Sequence, residues 1–395
     1  MLVNFKNKTL IIINFLKHPS FFLTSLSLVI FYLGFIFRNF AVCGFASTIF
    51  LIAIMLKFKK IKNLMVILIS LAFIISCIEL LLSVLWSSLI PPGPKSAILS
   101  KDSDTIYQKI DGYGYIGIEG SHKQKKVGPD NEIIYDVIYT FGKDGYRLDV
   151  PHNDFQIYIY GDSNLFGDGL NDNETLSYFL NKNHNIKSKN LGMGGYGMHQ
   201  ALFNMQNGKI ATGGINILFT SIGHASRSAC KPVYSSGTPR YKINNNNKVE
   251  LKDFCKNKIK LNNLLQSIYI YKLLQRIFLD KGYLTDDDIK IYLGIIEEMH
   301  RLTKDNGSKL IISYLQTDKD INSLKRSLKY SNQLIIDKFN KLADVAVDVT
   351  LAETYDQLPK KYYIHKLDIH ATAEANIRRA QILADVINSL NQKIN

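Results

Sequence analysis

The first 90 residues contain three long apolar stretches, and this pattern restricts the fold more than any other feature of the chain. The stretches cover residues 20–37, 40–56 and 64–90. Each is about as long as the roughly 17–25 residues that a helix needs to cross a hydrocarbon core. A cleaved signal peptide does not explain the pattern, because no small-residue cleavage site follows the first stretch and two more stretches come after it. The sequence therefore predicts an anchor of three transmembrane helices over residues 1–90.

The basic residues predict how this anchor is oriented. Three lysines precede the first stretch and four lie between the second and third, whereas Arg38 alone lies between the first and second. The positive-inside rule then places the N-terminus and the second loop in the cytoplasm. Three spans of the inner membrane carry everything after residue 90 into the periplasm or the cell exterior. The one acid among the spans, Glu79, is either a functional intramembrane residue or a residue facing the other two helices.

The charge of the chain supports this division and excludes one class of partner. Residues 1–90 hold eight Lys/Arg against one acid, and the remainder holds 40 against 33, within a formal net charge of +14. The basic excess of the first segment follows from topology. The excess of the second favours anionic polymers or lipid head groups only modestly, and a generally lysine-rich protein explains it as well. No basic block with interleaved aromatic residues is present, so no nucleic-acid partner is expected.

Residues after the anchor divide into a short extension and a larger domain. Prolines at 91, 92 and 94 end the third span and form a stiff linker. A segment rich in Gly and Tyr follows at 105–150, and its alternating pattern at 133–141 predicts a small antiparallel element. We therefore expect an anchor at 1–90, a linker with a β-rich extension at 91–154, and the main domain at 155–395.

The main domain alternates strand-like and helix-like patterns. The strand-like segments are 156–160, 186–191, 216–221, 309–314 and 343–347. The helical patterns begin after Asn173, cover 197–208 and 262–280, start again at the capping box of Thr285, and cover 322–342 and 372–390. This alternation predicts an α/β domain with a parallel sheet covered by helices on both faces. Ligands bind such sheets beyond the carboxyl ends of the strands, at a switch point.

Four cysteines occur, and two of them lie outside the anchor. Cys230 and Cys255 flank a polar insert and can close it as a disulfide in an oxidising compartment, or remain free, because sequence does not show the separation of their Cα atoms. Cys43 and Cys77 lie in the spans and serve there as small apolar residues. No C-x-x-C or H-x-x-x-H pair indicates a zinc site, and no cofactor is expected.

Three blocks of the main domain carry side chains suited to chemistry. The first strand ends in Gly-Asp-Ser at 161–163, where Ser163 is either a turn residue or a nucleophile. A nucleophilic serine needs a base and an orienting carboxylate, and it needs backbone donors for the oxyanion that forms on attack. Asp368 and His370 supply the first two from a predicted loop before the last helix. The glycine-dense segment NLGMGG at 190–195 supplies the backbone donors.

Taken in order, these blocks resemble the SGNH (GDSL-like) superfamily of serine esterases and acyltransferases over residues 155–390, in its membrane-anchored bacterial form. The resemblance implies a three-layer α/β/α fold with a parallel, flavodoxin-like sheet. It implies that Ser163 is the nucleophile, that His370 is the base and that Asp368 orients it. The backbone N–H groups of Ser163 and Gly195 would form the oxyanion hole.

The third block departs from the family pattern. The family carries Gly-x-Asn-Asp after the third strand, whereas this chain has FTSIGHASRS at 219–228, with Ala225 in the place of the asparagine. His224 is a candidate replacement for that oxyanion donor, or else a hydrogen-bonded structural histidine. Arg227 is a candidate contact for an anionic group of the substrate, or else a member of an ion pair. Asn164 is a second candidate for contacting the substrate.

The resemblance and the topology together imply a function. The expected activity is that of a membrane-anchored serine esterase or O-acyltransferase acting on O-acyl groups, chiefly O-acetyl, of cell-envelope glycans. Envelope polysaccharide synthesis proteins are the expected protein partners. Two alternatives stay open at this point. One is a lipase or thioesterase acting on lipid-linked substrates, and the other is a catalytically weak SGNH-like module that binds glycans within an envelope assembly complex.

Overall fold

The computed structural model describes two compact units. They comprise Met1–Gly93 with Ile259–Lys281, and Pro94–Lys258 with Gly282–Asn395. The residues that the structure describes are 19–36, 39–57, 62–89, 97–149, 155–256, 268–278 and 283–392. The proline linker predicted at 91–94 lies outside the described residues.

The helices and strands are numbered here along the chain. The described α-helices are α1 Pro19–Ile36, α2 Phe40–Lys57, α3 Lys62–Leu89, α4 Ser163–Phe166, α5 Leu176–His184, α6 Met198–Gln206, α7 His224–Ser228, α8 Tyr269–Phe278, α9 Asp286–Asp305, α10 Asp318–Ser323, α11 Asn332–Leu342 and α12 Ala373–Gln392. The described strands are β1 Ile98–Leu99, β2 Tyr107–Ile110, β3 Gly114–Gly117, β4 Gly120–Val127, β5 Ile133–Phe141, β6 Ile157–Gly161, β7 Ser188–Gly192, β8 Ile215–Ser221, β9 Pro239–Ile243, β10 Val249–Phe254, β11 Lys309–Leu315, β12 Val345–Asp348, β13 Tyr363–His365 and β14 Asp368–Ala371.

The first unit contains the three apolar helices α1, α2 and α3, close to the predicted positions. Within α3 the segment Val66–Trp86 is long and apolar enough to cross a membrane, by length and composition. The apolar segments of the other two helices, Leu23–Tyr32 and Ala41–Ile54, are shorter. Among the described residues one helix therefore meets the requirement for a membrane crossing, where the sequence predicted three.

Small residues bring these helices close together. A Cβ atom built on Gly44 would lie 2.2 Å from Ser76 Oγ, and one on Gly34 would lie 2.9 Å from Cys43 Sγ. Close backbone approach through small residues is typical of helices that pack within a bilayer. Large apolar side chains point outward instead, as Leu81 and Val84 do with exposed fractions of 58% and 68%.

Helix α8 belongs to this first unit, which corrects a sequence prediction. The apolar pattern at 262–280 indicated a core helix of the main domain, and the described part of it, Tyr269–Phe278, groups with the apolar helices instead. The buried Glu79 carboxylate accepts hydrogen bonds from the backbone N–H groups of Tyr269 (2.6 Å) and Ile270 (2.9 Å). Glu79 thus satisfies the free donors at the start of α8. An apolar helix face does not reveal which partner buries it, so the pattern alone gave the wrong neighbour.

The second unit is built on a five-stranded parallel sheet with the strand order β12-β11-β8-β6-β7. Counted along the chain within this sheet, the order is 2-1-3-4-5, which is flavodoxin-like. Each observed strand starts and ends within two residues of its predicted bounds. The prediction of an α/β domain with a parallel sheet is confirmed.

Alternate residues of the strands enter two separate cores, one on each side of the sheet. Ile217 and Ile311 pack with side chains of α5 and α12. Leu218 and Ile312 pack with side chains of α6, α9 and α11. Because successive strand residues point to opposite faces, a sheet covered on both sides has near-continuous apolar strands. The expected three-layer α/β/α arrangement is therefore observed.

Three helix boundaries were predicted with different success. Thr285 caps α9 and forms the predicted capping box with Asp288. The cap of α5 is Thr175, not Asn173, because 172–174 form a separate 3₁₀ turn. The helix predicted at 322–342 is divided into α10 and α11, and Ser331 caps the second of these with its side-chain oxygen. A new cap within a periodic segment divides a helix that apolar spacing alone would continue.

The predicted antiparallel element of the extension is present, and it joins the second unit. Strand β5 pairs with β4, and β2 pairs with β3 in a hairpin. The buried residues Tyr139 and Phe141 of β5 belong to the same core as side chains of α6 and α9. Residues 97–149 are therefore structurally part of the main domain.

The structure decides the state of the two cysteines outside the anchor. Cys230 and Cys255 form a disulfide, with their Cα atoms 5.5 Å apart. This bond closes the polar insert that contains the β9–β10 hairpin.

Candidate active site

Ser163 lies directly beyond the carboxyl end of β6, at the start of the one-turn helix α4. The Asp162 side chain caps this turn by accepting a hydrogen bond from the Asn164 N–H at 3.0 Å. A Cβ atom on Gly161 would approach the Phe219 carbonyl oxygen to 3.0 Å, so the strand end requires glycine. Strand β6 lies between β7 and β8, which is the switch point of the sheet. The serine is thus presented where α/β sheets bind ligands.

Asp368 and His370 lie on the short strand β14, where a loop was predicted. Residues two positions apart on a strand point to the same face, which explains the single residue between them. His370 Nδ1 lies 2.5 Å from Asp368 Oδ1, and His370 Nε2 lies 2.8 Å from Ser163 Oγ. The structure therefore brings these three predicted residues into one continuous chain of hydrogen bonds.

The charges around His370 favour its protonated form. Burial lowers the pKa of His370, but the hydrogen bond that His370 donates to Asp368 and the charges of Asp168, Asp368 and Asp162 outweigh it and raise the pKa above its ordinary value. Burial raises the pKa of Asp368, but His370 and Lys126 more than offset this and hold it below its usual range. His370 is thus able to take a proton while Asp368 stays ionised.

Lys126 is a member of this cluster that sequence reasoning missed. Its Nζ atom donates to Asp368 Oδ2 at 2.7 Å from strand β4 of the extension. The Asp368 side chain is almost fully buried in this ion pair, and that of Lys126 is 21% exposed. Since Asp368 Oδ1 bonds His370, both carboxylate oxygens are held and the carboxylate cannot rotate. No motif marks a lysine 242 residues from its partner.

Asp168 is the second residue that the sequence did not reveal. Its Oδ2 atom lies 3.8 Å from His370 Nε2. Its Oδ1 atom accepts hydrogen bonds from the hydroxyl groups of Tyr139 (2.9 Å) and Tyr135 (3.4 Å), which β5 contributes. Asp168 therefore places a second carboxylate beside the nitrogen that contacts the serine. The only sequence signal was its position between two glycines, five residues after Ser163.

Arg147 holds the loop that carries Asp168. Its fully buried guanidinium donates to the carbonyl oxygens of Phe166 and Gly167, each at 2.8 Å, and to that of Leu170. It also forms an ion pair with Asp172 at 2.9 Å. One side chain from the end of the extension thus shapes the segment that follows the serine.

The predicted oxyanion residue Gly195 lies in the loop after β7. Gly192, at the end of that strand, pairs with Gly161 at the end of β6, so the two loops start side by side. Gly195 has a φ of 78°, a conformation that favours glycine. Within the described part of the chain, the backbone N–H groups of Ser163 and Gly195 have no hydrogen-bond partner. Both donors are available to a bound group.

His224 is not placed as an oxyanion donor, which corrects that prediction. Its Nε2 atom donates to Asp162 Oδ2 at 3.1 Å, and its Nδ1 atom bonds the Thr220 hydroxyl at 3.1 Å. Burial lowers the pKa of His224, so the neutral ring, with a single N–H, is favoured. Asp162 uses that N–H, and none is left for a substrate.

The two predicted substrate contacts also have partners within the protein. Arg227 Nη1 donates to Asp162 Oδ2 at 2.8 Å and to the Tyr196 carbonyl oxygen at 2.6 Å. This ion pair is the structural alternative that the sequence left open. The Asn164 side-chain oxygen accepts a hydrogen bond from the Tyr355 hydroxyl at 2.7 Å. These residues hold the turn around Ser163.

Asp162 thus holds together the buried contacts that fix the turn carrying Ser163. Burial raises the pKa of Asp162, but the Arg227 charge and the His224 hydrogen bond outweigh it and keep the carboxyl ionised.

Among the described residues, no group of three or more His, Cys, Asp and Glu side chains is arranged to hold a metal ion.

Comparison with solved structures finds several similar chains, among them one lipolytic protein and two carbohydrate esterases. A protein described as lipolytic and of the G-D-S-L family, from Desulfitobacterium hafniense, is 12% identical, covers 58% of this chain and 98% of its own, and has a TM-score of 0.33. A carbohydrate esterase family 2 enzyme with a carbohydrate-binding domain, from Myceliophthora fergusii, is 11% identical, covers 75% and 87%, and has a TM-score of 0.28. A further carbohydrate esterase is 9% identical, covers 76% and 98%, and has a TM-score of 0.30.

No family model matches the chain, and no curated protein matches it. With identities of 9–12% and TM-scores of 0.28–0.33, the structural likenesses carry no argument about activity. The fold that the resemblance implied, a parallel sheet in the flavodoxin-like order, is observed, with Ser163 after its first strand and Asp-x-His before the last helix.

Proposed function

We propose that this chain is a serine ester hydrolase or acyltransferase of the SGNH type. The observation that carries the proposal is the position of His370, which bonds Ser163 Oγ at 2.8 Å and Asp368 at 2.5 Å. A serine, a base and an orienting carboxylate in this order activate the hydroxyl for attack on a carbonyl carbon.

The proposed reaction has two halves. Ser163 Oγ bonds the carbonyl carbon of the ester while His370 Nε2 takes the hydroxyl proton. The tetrahedral intermediate then breaks its bond to the alcohol oxygen, and Nε2 returns the proton to that oxygen. Water or a second hydroxyl compound attacks the acyl-serine in the same way, with His370 again as the base, and regenerates Ser163. Water gives hydrolysis, and another alcohol gives acyl transfer.

The oxyanion of the intermediate would be held by two backbone donors, those of Ser163 and Gly195. Both N–H groups lack partners in the described part of the chain, and their loops start from neighbouring strand ends. His224 gives no third donor because Asp162 uses its N–H. Loss of one such donor costs about 3 kcal/mol of transition-state stabilisation in a serine protease. We therefore expect a slower enzyme than a three-donor relative.

The proposed substrates are O-acyl esters, chiefly O-acetyl esters, of envelope glycans. The support is the expected compartment together with the implied family chemistry. Lipid-linked esters or thioesters are the alternative within the same chemistry. The missing third donor favours a second candidate, a weakly catalytic glycan-binding module. Against it stands the contact between His370 and Ser163, which a binding module has no need to retain.

We further propose that α1, α2 and α3 all cross the inner membrane, with the N-terminus in the cytoplasm and the second unit outside. The outward apolar side chains and the close contacts of small residues support this arrangement. The disulfide between Cys230 and Cys255 supports an oxidising compartment for the second unit. Alkaline phosphatase fused after Asn395 should be active in cells, and a fusion after Lys59 should not. Activity of the second fusion alone would contradict the orientation.

The chemical proposal is tested by labelling the full-length protein in detergent micelles with a fluorophosphonate probe. We expect one covalent adduct, located on Ser163 by peptide mass spectrometry, together with cleavage of 4-nitrophenyl acetate. Ser163→Ala should remove both signals. Ser121→Ala is the matched control. Ser121 lies on the extension, where its hydroxyl forms a hydrogen bond with that of Thr140, and it has no part in the proposed reaction. A wild-type protein without adduct and without turnover would support the binding module.

Lys126 gives a prediction for the pH profile. The raised pKa of His370 places the acid limb of kcat/KM above the ordinary histidine value of about 6.5. The groups that face His370 are Asp368, Asp168 and Asp162, and Lys126 offsets their charge through Asp368. Lys126→Met removes this positive charge, so the acid limb should move to higher pH, and kcat should fall by about tenfold to hundredfold as Asp368 loosens.

The controls for this prediction separate charge from packing. Lys126→Arg keeps the charge and should retain the acid limb near its wild-type position. Lys123→Met removes a lysine of the same strand whose side chain is 49% exposed and pairs with Asp136. It should leave the profile unchanged. A Lys126→Met profile that matches the wild type would show that Lys126 does not position Asp368.

A further inference from the structure

Asp168 lies on the side of the active site where the alcohol of an ester has to leave. In the proposed reaction His370 Nε2 returns its proton to the alcohol oxygen, so that oxygen has to come within hydrogen-bond reach of Nε2. Asp168 Oδ2 is 3.8 Å from this same nitrogen. A group bound to the alcohol carbon, or to its neighbour, therefore comes close to the Asp168 carboxylate, whereas the acyl group points away from it.

The two oxygens of the Asp168 carboxylate have different surroundings. Oδ1 accepts hydrogen bonds from Tyr139 and Tyr135, and the Tyr139 hydroxyl oxygen accepts in turn from the Gly169 N–H at 2.6 Å. In the described part of the chain, Oδ2 has no hydrogen bond and no neighbour of opposite charge other than His370. The side chain is 28% exposed, so Oδ2 is accessible from the site. One oxygen is fixed and the other is free to accept a hydrogen bond from a ligand.

The surroundings of Asp168 match a hydroxylated alcohol and not an anionic one. Two tyrosines of the extension, Tyr135 and Tyr139, bond Asp168, and its charge also raises the pKa of Tyr107, which burial raises first. A carboxylate only accepts hydrogen bonds, so its natural partner is a hydroxyl or a cation. A phosphate or carboxylate on the alcohol would face a like charge in a partly buried site.

We propose that Asp168 forms the alcohol subsite of this enzyme and selects esters whose alcohol carries a free hydroxyl next to the acylated one. This inference rests on the proposed serine ester chemistry and specifies its substrate class. The class is the partly acylated polyol or sugar, with a neutral alcohol portion. In the transfer direction the same subsite receives a polyhydroxylated acceptor.

A matched pair of esters tests the subsite on the full-length protein in detergent micelles. The pair is 2-hydroxycyclohexyl acetate in its trans form and cyclohexyl acetate, which differ only in the neighbouring hydroxyl. We expect wild-type kcat/KM to favour the hydroxylated ester by about tenfold to hundredfold, the range for a hydrogen bond to a charged group. Asp168→Leu should reduce this ratio to near one. Asp168→Asn keeps an acceptor oxygen without the charge, and should give an intermediate ratio.

A second readout separates a subsite from a structural role. Removing the Asp168 charge should move the acid limb of kcat/KM to lower pH, because that charge helps to raise the pKa of His370 together with Asp368 and Asp162. Fluorophosphonate labelling releases fluoride and not an alcohol. Its rate therefore reports whether each variant still folds with a reactive serine. Asp136→Asn is the matched control on β5, because its ion pair with Lys123 is solvent-exposed. It should leave the ester ratio at the wild-type value.

The outcomes are distinguishable. The subsite is overturned if the ratio of kcat/KM for the two esters is the same in wild type, Asp168→Asn and Asp168→Leu while labelling is intact. The proposed serine chemistry would then still stand. A loss of labelling in both variants assigns Asp168 to the structure of the site and also overturns the subsite. A wild-type protein that neither labels nor cleaves either ester overturns the proposed function, and the subsite with it.

Discussion

His370→Ala should lower kcat for 4-nitrophenyl acetate by roughly 10⁶-fold, the loss seen when the histidine of a serine-protease triad is removed. The reason is that His370 Nε2 is the atom that bonds Ser163 Oγ, at 2.8 Å. Without it, the serine proton has no acceptor and the hydroxyl is a weak nucleophile. Steady-state turnover and fluorophosphonate labelling of the full-length protein in micelles measure the loss.

The control for this variant is the other histidine of the same hairpin. His365 Nδ1 accepts a hydrogen bond from the Leu367 N–H, at 3.2 Å, so His365→Ala should leave turnover within a few-fold of wild type. Asp368→Asn should cost roughly 10⁴-fold, because the amide cannot hold the imidazole in the required tautomer. If His370→Ala retains a tenth of the wild-type kcat, Ser163 is not activated by this histidine.

Arg147→Met should destabilise the second unit by about 3–5 kcal/mol, the cost of breaking a buried ion pair from one side. Methionine has a similar length but offers no donor to the carbonyl oxygens of Phe166, Gly167 and Leu170. It also leaves Asp172 without its buried partner. Chemical denaturation followed by circular dichroism, with fluorophosphonate labelling as the probe of the site, measures the shift.

Two variants make the test of Arg147 specific. Arg147→Lys keeps the charge but cannot reach all of these acceptors at once, so it should lie between wild type and methionine. Arg240→Met removes an arginine whose side chain is 43% exposed and pairs with Asp253 at 3.6 Å. Exposed pairs contribute about 0–1 kcal/mol, so this variant should unfold close to wild type. An Arg147→Met midpoint equal to that of Arg240→Met would contradict the anchoring role.

The parts of the fold that sequence predicted well depend on local patterns. The five sheet strands were predicted within two residues because each is an apolar run bounded by turn residues. The capping box at Thr285 was confirmed because it needs only four consecutive residues. Asp368 and His370 were expected to act from one loop, and their contact arises because they lie two positions apart on strand β14 and share a face.

The failures have a common physical cause. His224 was predicted to be either an oxyanion donor or a hydrogen-bonded structural histidine, and the sequence did not decide between them because its N–H is held by Asp162, 62 residues away in the chain. The apolar pattern of helix α8 fits burial in the main domain as well as among the apolar helices. The N–H groups at its start donate hydrogen bonds to Glu79, which lies in α3. In both cases the local segment fixes what a residue can bind, while the partner comes from a distant element.

The sequence by itself identified Ser163, Asp368 and His370 as a set of side chains suited to ester chemistry. Ser163 directly follows the first strand of the parallel sheet, and ligands bind such sheets beyond the carboxyl ends of the strands. Asp368 and His370 lie two positions apart, just before the last helix. Only the tertiary structure decided what surrounds them. The packing of the extension against the main domain brings Lys126 to Asp368, and it brings Tyr135 and Tyr139 to Asp168 beside His370. Such contacts join residues that are far apart in the chain. A local pattern of apolar residues does not show which distant residues will come together.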